Sequence, residues 1–266
     1  MPYRAIPGAL LCCLLGSVLG LEAAPAFAEE EGIVTDRPDF VESSDVVGKG
    51  RFQLETSLAG ERSKVDGLRV RSLSTPTLLR LGVSDTLELR LETDGWMRET
   101  AGGERASGMT DISLGAKWHV QDGNEETGRP ALAWLFHADL ATGARAFRGQ
   151  GTRPSVRLTA EWDLPEGFGV GVMSGVYRDR NDADRSFTGG ILAVTFGKSF
   201  TEKLHGFVEI AGQQITSKKN GGSLVTFDTG ASYLLSNSLQ IDTAFAFGLN
   251  KTSPDVGWTV GISAKF

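Results

Sequence analysis

From Arg51 to the last residue, Phe266, the chain repeats one pattern: apolar and polar residues alternate with a period of two. Leu87, Leu89 and Leu91 alternate with Glu88, Arg90 and Glu92. Ile112, Leu114, Ala116 and Trp118 alternate with Ser113, Gly115, Lys117 and His119. Val156, Leu158, Ala160 and Trp162 alternate with Arg157, Thr159 and Glu161. A period of two puts successive side chains on opposite faces of a strand, and no comparable stretch carries a helical period. The final segment, Trp258-Thr-Val-Gly-Ile-Ser-Ala-Lys-Phe266, is as well patterned as the rest. A terminal strand leaves an open edge unless something pairs with it, and closing a sheet into a barrel removes the edge.

The pattern divides into about twelve strands, over 51–60, 68–83, 87–96, 111–120, 130–143, 154–163, 168–178, 187–198, 204–216, 224–235, 239–249 and 256–266. Most are near the roughly 9–11 residues that a tilted membrane strand needs. Pro76 inside the second strand marks a bulge or a later start. Connections after odd strands are long and polar, including 61–67, 97–110 and 144–153, whereas those after even strands are short, with 121–129 the exception. Outer-membrane barrels show this asymmetry between external loops and periplasmic turns. The expected fold is all-β, an antiparallel up-and-down transmembrane β-barrel of about twelve strands.

A soluble sandwich also alternates, with its apolar face inward. Three features favour the membrane barrel. The polar rows carry Glu55, Arg80, Glu88, Arg90, Glu92, Lys117, Arg157 and Glu161, charges of both signs that suit a hydrated and mutually paired lumen. Trp96, Trp118, Trp162, Phe168, Phe200 and Trp258 sit near strand ends, where aromatic girdles belong. The last strand needs a partner, and the first can supply it.

The first residues read as an export signal. Arg4 is followed by an apolar run over 9–21 and by Ala26-Phe27-Ala28, which places cleavage after Ala28. The run is shorter than the roughly 20 residues of a spanning helix. Cys12 and Cys13 lie inside it, so a processed chain of about 238 residues has no thiol and no cysteine-based metal site. The expected organisation is residues 1–28 a signal peptide, residues 29–50 a periplasmic N-terminal segment or plug, and residues 51–266 the barrel. A net charge of −6 argues against a nucleic-acid partner.

One polar segment is not explained by strand pairing: Ile33-Val-Thr-Asp-Arg-Pro-Asp-Phe-Val-Glu-Ser-Ser-Asp-Val-Val-Gly-Lys-Gly50. Thr35-Asp36-Arg37-Pro38-Asp39-Phe40, Glu42-Ser43-Ser44 and the stretch from Lys49 to Glu55 carry a resemblance to a family of outer-membrane β-barrel transporters named for the MetA pathway of phenol degradation. Residues 76–91 and 111–118 resemble further blocks of that family, while Val41 and Gly48 depart from its usual Thr and Pro. The resemblance implies a bacterial outer-membrane location, reached through the periplasm, and movement of small molecules, hydrophobic or aromatic ones included. It supplies no catalytic motif. It also implies that Trp258, Val260, Ile262 and Phe266 serve as a signal for the barrel assembly machinery.

The expected partners are therefore outer-membrane lipid, that machinery and a small-molecule solute, with no cofactor and no metal. Passive passage would be governed by lumen width and lining charge. Candidates for the lining or plug are Asp36, Arg37, Asp39, Glu55, Arg80, Glu88, Arg90, Glu92, Lys117, His119, His137, Asp139, Arg157 and Glu161. Asp36, Arg37 and Asp39 would pair with Arg80, Arg90 or Glu88 if their segment enters the lumen. A periplasmic lid is the alternative. His137 and Asp139 share a face, and a His-x-Asp pair alone is a weak signal for catalysis. The chain is expected not to be an enzyme. A non-conducting structural or adhesive barrel, and less favourably a membrane-embedded enzyme, are the other functional classes.

Overall fold

In the computed structural model, which describes residues 32–65, 67–181 and 183–266, the strands form one closed antiparallel sheet. The expected signal peptide, residues 1–28, lies outside the described residues.

The first strand, β1 (Phe52–Val65), pairs with the last, β15 (Val256–Lys265), from Gln53↔Lys265 to Arg62↔Val256. Phe266 and Phe52 exchange backbone hydrogen bonds of 2.7 and 3.1 Å, and their rings lie 6.1 Å apart. The chain ends in a patterned strand because that strand closes the barrel.

The upper half of β1 pairs with β2 (Leu68–Ser74) and its lower half with β3 (Thr77–Gly82). These are two halves of one wall strand, interrupted at Thr75-Pro76, where proline has no N–H to give to the ladder. Likewise β4 (Leu87–Thr93) continues into β5 (Trp96–Ala101), and β6 (Glu104–Met109) into β7 (Ile112–Gln121). The rest follow as hairpins: β8 (Ala131–Leu140), β9 (Arg153–Leu164), β10 (Phe168–Arg180), β11 (Ser186–Ser199), β12 (Leu204–Ile215), β13 (Leu224–Ser236) and β14 (Leu239–Gly248). The closed sheet has twelve wall strands.

Two expected loops are strand instead. Residues 97–110 form the hairpin β5–β6, paired from Trp96↔Met109 to Ala101↔Glu104, so the fourth wall strand begins at Glu104 rather than at 111. Residues 61–65 extend β1. Both stretches project past the apolar belt, where water wets each face. The contrast between faces that makes a strand readable is lost there.

Burial is inverted relative to a soluble sandwich. Arg80, Lys117, Glu55 and Glu88 are 0% exposed, whereas Leu89, Trp118, Ile210 and Val260 are 50–56% exposed. Apolar side chains point outward and charged ones inward, the arrangement of a wall set in lipid. Trp258, Val260, Ile262 and Phe266 all lie on the outward face.

Candidate functional site: a charged lumen threaded by the N-terminal segment

Residues 33–50 run inside the barrel. They enter where the Ile33 N–H donates to Asn237 O at 2.7 Å. They leave at Gly82, where an added Cβ would stand 1.7 Å from the Gly48 carbonyl oxygen. Only glycine admits backbone that close.

One side of the lumen is dense with charge. Its inward rows come from β1, β3, β4 and β7–β9. Asp36 is the hub. Its carboxylate accepts from Arg90 Nη1 at 2.5 Å and from Lys117 Nζ at 2.7 Å, with Arg80 Nη1 at 3.5 Å. Its own backbone N–H donates to Glu55 at 3.1 Å. Asp36 belongs to the threaded segment and not to a spanning strand. Burial raises its carboxyl's proton affinity, but Arg80, Lys117 and Arg90 outweigh burial and hold it well below the usual carboxylate range.

Arg80 also donates to Glu88 (2.9 Å), Glu55 (3.1 Å) and the Asp45 carbonyl oxygen (2.7 Å). Arg90 reaches Glu42 at 2.5 Å, Glu92 at 2.8 Å and Glu88 at 2.9 Å. Arg157 Nη1 donates to the other Glu42 oxygen at 2.5 Å. Backbone groups of the segment complete the lattice. Ser44 N–H donates to Glu161 at 2.5 Å, Val47 N–H donates to Glu88 at 3.0 Å, and His119 Nδ1 lies 2.9 Å from Ser44 O. Buried charges are costly unless paired and hydrogen-bonded, and here Asp36, Arg80, Arg90, Lys117 and Glu88 each have several partners.

The opposite wall, β10–β15, is rich in small side chains, with Met173, Tyr177, Ile191 and Phe207 as larger apolar ones among them. Register puts Gly169, Gly171, Gly197, Ala193, Ala211, Gly230, Ala244, Ala246 and Gly261 on its inward rows. Three carboxylates interrupt it. Glu209 accepts from the N–H groups of Phe40 (2.9 Å) and Val41 (2.8 Å). Asp242 accepts from Arg37 Nη2 at 3.1 Å, and that nitrogen also donates to Thr259 Oγ1 at 2.8 Å. Asp228 stands directly across from Glu209 on the neighbouring strand. Val41 packs with Met173, Ile191, Ala193 and Ala211, and Phe40 and Tyr177 lie against that cluster.

The segment divides the lumen. A cavity of about 810 Å³ on the long-loop side is lined by residues including Phe40, Glu92, Asp139 and Arg157. One of about 670 Å³ on the short-turn side is lined by residues including Ile33, Pro38, Glu161 and Gly169. Arg37 and Asp39 border both.

The expected pairing partners are thus only partly those observed. Asp36 meets Arg80 and Arg90, with Lys117 added, but Arg37 reaches across to Asp242 rather than to Glu88. His137 and Asp139 do not form a dyad. His137 Nε2 lies 3.0 Å from Glu92, and Asp139 lies 3.7 Å from Arg153. Glu42, Glu92 and His137 bring potential ligand atoms within 4.8 Å of one another, but Arg90 and Arg157 already engage both carboxylates. A metal ion would have to displace two guanidinium groups. Sequence reasoning missed Glu42, Glu209, Asp228 and Asp242 as lumen groups. For the last three a signal existed, since each sits on the polar parity of its strand beside Ile210, Phe227 or Ile241.

Solved structures share this architecture at low identity. An outer membrane channel from Pseudomonas putida F1 superposes with a TM-score of 0.63 at 11% identity, over 84% of this chain and 98% of that one. The beta domain of the Bordetella autotransporter BrkA gives 0.55 at 12%, over 81% and 99%. The KdgM porin, solved with disordered oligogalacturonate, gives 0.52 at 11%, over 80% and 99%. At these identities the likeness is one of fold. No curated protein sequence matches the chain. The family described as "Putative MetA-pathway of phenol degradation" matches residues 35–266, which take in the threaded segment and every wall strand, and the chain belongs to that family of porin-like barrels.

Proposed function

We propose that the protein is a bacterial outer-membrane channel that passes small molecules passively, and that residues 33–50 act as its plug. The observation that carries this reading is the pair of lumen cavities, one on each side of the segment, that share Arg37 and Asp39 in their linings. A solute entering from the long-loop side meets charged groups along β4 and β7–β9, and beyond the plug it meets the glycines of β10 and β11. Small side chains leave room beside the plug on the short-turn side, where Gly169, Gly171 and Gly197 line the cavity. Mixed polar and apolar lining suits small solutes with both characters, hydrophobic or aromatic ones included. Selection would rest on width and lining charge, with no chemical step. The fold relatives named above are a channel, a porin and an autotransporter domain rather than enzymes, which agrees with this reading.

A second reading, a non-conducting structural barrel, is favoured by the saturation of the Asp36 lattice. Planar-bilayer recordings separate the two. The channel reading expects discrete conductance steps that grow when residues 33–44 are deleted. Silence from both proteins, each verified as folded by heat-dependent gel migration, would establish the structural barrel.

A further inference from the structure

Beyond the lumen, one outer surface of the barrel carries cations that no described carboxylate pairs with. The hairpins β1–β2 and β5–β6 pair into a four-stranded sheet rising past the apolar belt on the long-loop side. Inward parity on β1 is set by Gln53, Glu55 and Ser57, so Leu58, Gly60, Arg62 and Lys64 face outward. Register carries that face across the sheet. Arg62 stands opposite Arg71, and Lys64 opposite Arg69. Leu73 stands opposite Arg98, and Thr100 opposite both Arg71 and Arg105. The outward face above the belt thus presents Arg62, Lys64, Arg69, Arg71, Arg98 and Arg105, all exposed, with no acidic residue among the strand positions of that face.

Two of the directly opposed pairs are cation against cation. Residues paired in this way have Cβ atoms about 4.5–5.5 Å apart, and like charges there are destabilising. Among the described residues none of the six forms a salt bridge, whereas Arg180 on another outer hairpin is held by Asp184 at 2.8 Å. Immediately below the patch lie the exposed side chains of Leu58, Trp96, Met109 and Trp258, the outward apolar and aromatic belt. Trp258 lies across Gly60, where an added Cβ would be 2.7 Å from its ring, so the belt's aromatic edge stands two residues below Arg62. The cations therefore stand just past the belt, at headgroup height, on the outer face rather than in the lumen.

We infer that this patch binds the phosphate groups of the glycolipid that forms the outer leaflet of the outer membrane. Arginine matches phosphate with a planar fork of donors, and five of the six cations are arginine. An anion seated between Arg62 and Arg71, or between Lys64 and Arg69, turns each repulsive pair into a clamp. The inference rests on the outer-membrane reading, with short turns on the periplasmic side, and is independent of whether the lumen conducts.

The test uses the folded full barrel, purified in detergent and reconstituted in nanodiscs with phosphorylated lipid A or with its dephosphorylated form. Retained glycolipid is counted by native mass spectrometry. The wild type should retain the phosphorylated form preferentially. Arg62→Ser/Lys64→Ser/Arg69→Ser/Arg71→Ser should reduce that retention at least about tenfold and leave heat-dependent gel migration unchanged. Arg98→Ser/Arg105→Ser, on the neighbouring hairpin, should give a smaller drop and serves if the first variant fails to fold. Lys218→Ser/Lys219→Ser, in a separate external loop, should retain glycolipid as the wild type does. Equal retention of both glycolipid forms, undiminished retention by both patch variants, or full displacement by inorganic phosphate would overturn the inference. Conductance recorded on the same samples keeps the two readings apart. A silent barrel that keeps its glycolipid preference refutes the channel alone, and a conducting barrel without that preference refutes the patch alone.

Discussion

Asp36→Asn tests the plug at its hub. In the docked state one carboxylate faces three cations, Arg90 at 2.5 Å, Lys117 at 2.7 Å and Arg80 at 3.5 Å. Removing its charge leaves Lys117 with carbonyl oxygens alone and takes one carboxylate partner from each of Arg80 and Arg90, which keep Glu55, Glu88, Glu42 and Glu92, and breaking a buried pair costs about 3–5 kcal/mol. Asparagine keeps one acceptor for Lys117 but turns N–H donors toward the guanidinium groups, so about 3 kcal/mol is a fair value. The backbone ladder that closes the barrel does not involve this side chain. The cost therefore falls on docking of the segment, because once the segment leaves, water solvates the freed cations. At about 1.4 kcal/mol per decade, 3 kcal/mol shifts the ratio of docked to undocked plug roughly 100-fold. Single-channel recording should show open-state occupancy rising by about two decades, with the gel-migration midpoint of the barrel close to that of the wild type. Asp45→Asn on the same segment is the control, since that side chain is exposed and the network uses only its carbonyl oxygen. Unchanged occupancy in a folded Asp36→Asn barrel would refute the reasoning, as would an equal effect from Asp45→Asn.

Three further outcomes follow from the same geometry. Glu209→Gln weakens charge-assisted bonds to the Phe40 and Val41 N–H groups, and about 1–2 kcal/mol of lost docking should appear as more frequent openings in bilayers. Gly169→Trp projects into the cavity on the short-turn side, where the nearest atom to an added Cβ is the Trp162 carbonyl oxygen at 3.6 Å; conductance should fall while gel migration stays the same. Because the docked Asp36 carboxyl is held below its undocked range, its contribution is complete at neutral pH and is lost as pH falls through the depressed value. The difference in open-state occupancy between wild type and Asp36→Asn should therefore be constant from about pH 7 to 5 and shrink below about pH 4, read from recordings at stepped pH.

The barrel itself was legible in the residues. Leu87 to Glu92 and Val156 to Trp162 declare two faces because inside the bilayer one face meets lipid and the other a polar lumen. The same contrast located most of the strands and made Trp258–Phe266 a closing strand. It failed for Glu61–Val65 and for 97–110, since strand that projects into water has no such contrast to display. The lumen groups were legible as types but not as partners. Parity alone put Glu88, Arg90, Lys117 and His137 inside. That Asp36 would meet Lys117, Phe40 would meet Glu209 and Arg37 would cross to Asp242 depends on contacts 81, 169 and 205 residues apart. Only closure of the sheet brings those walls around one short segment. A local pattern reports which way a side chain points. Whether a polar stretch such as residues 33–50 lies under the barrel or through it is decided by which charges the closed wall leaves in need of a partner.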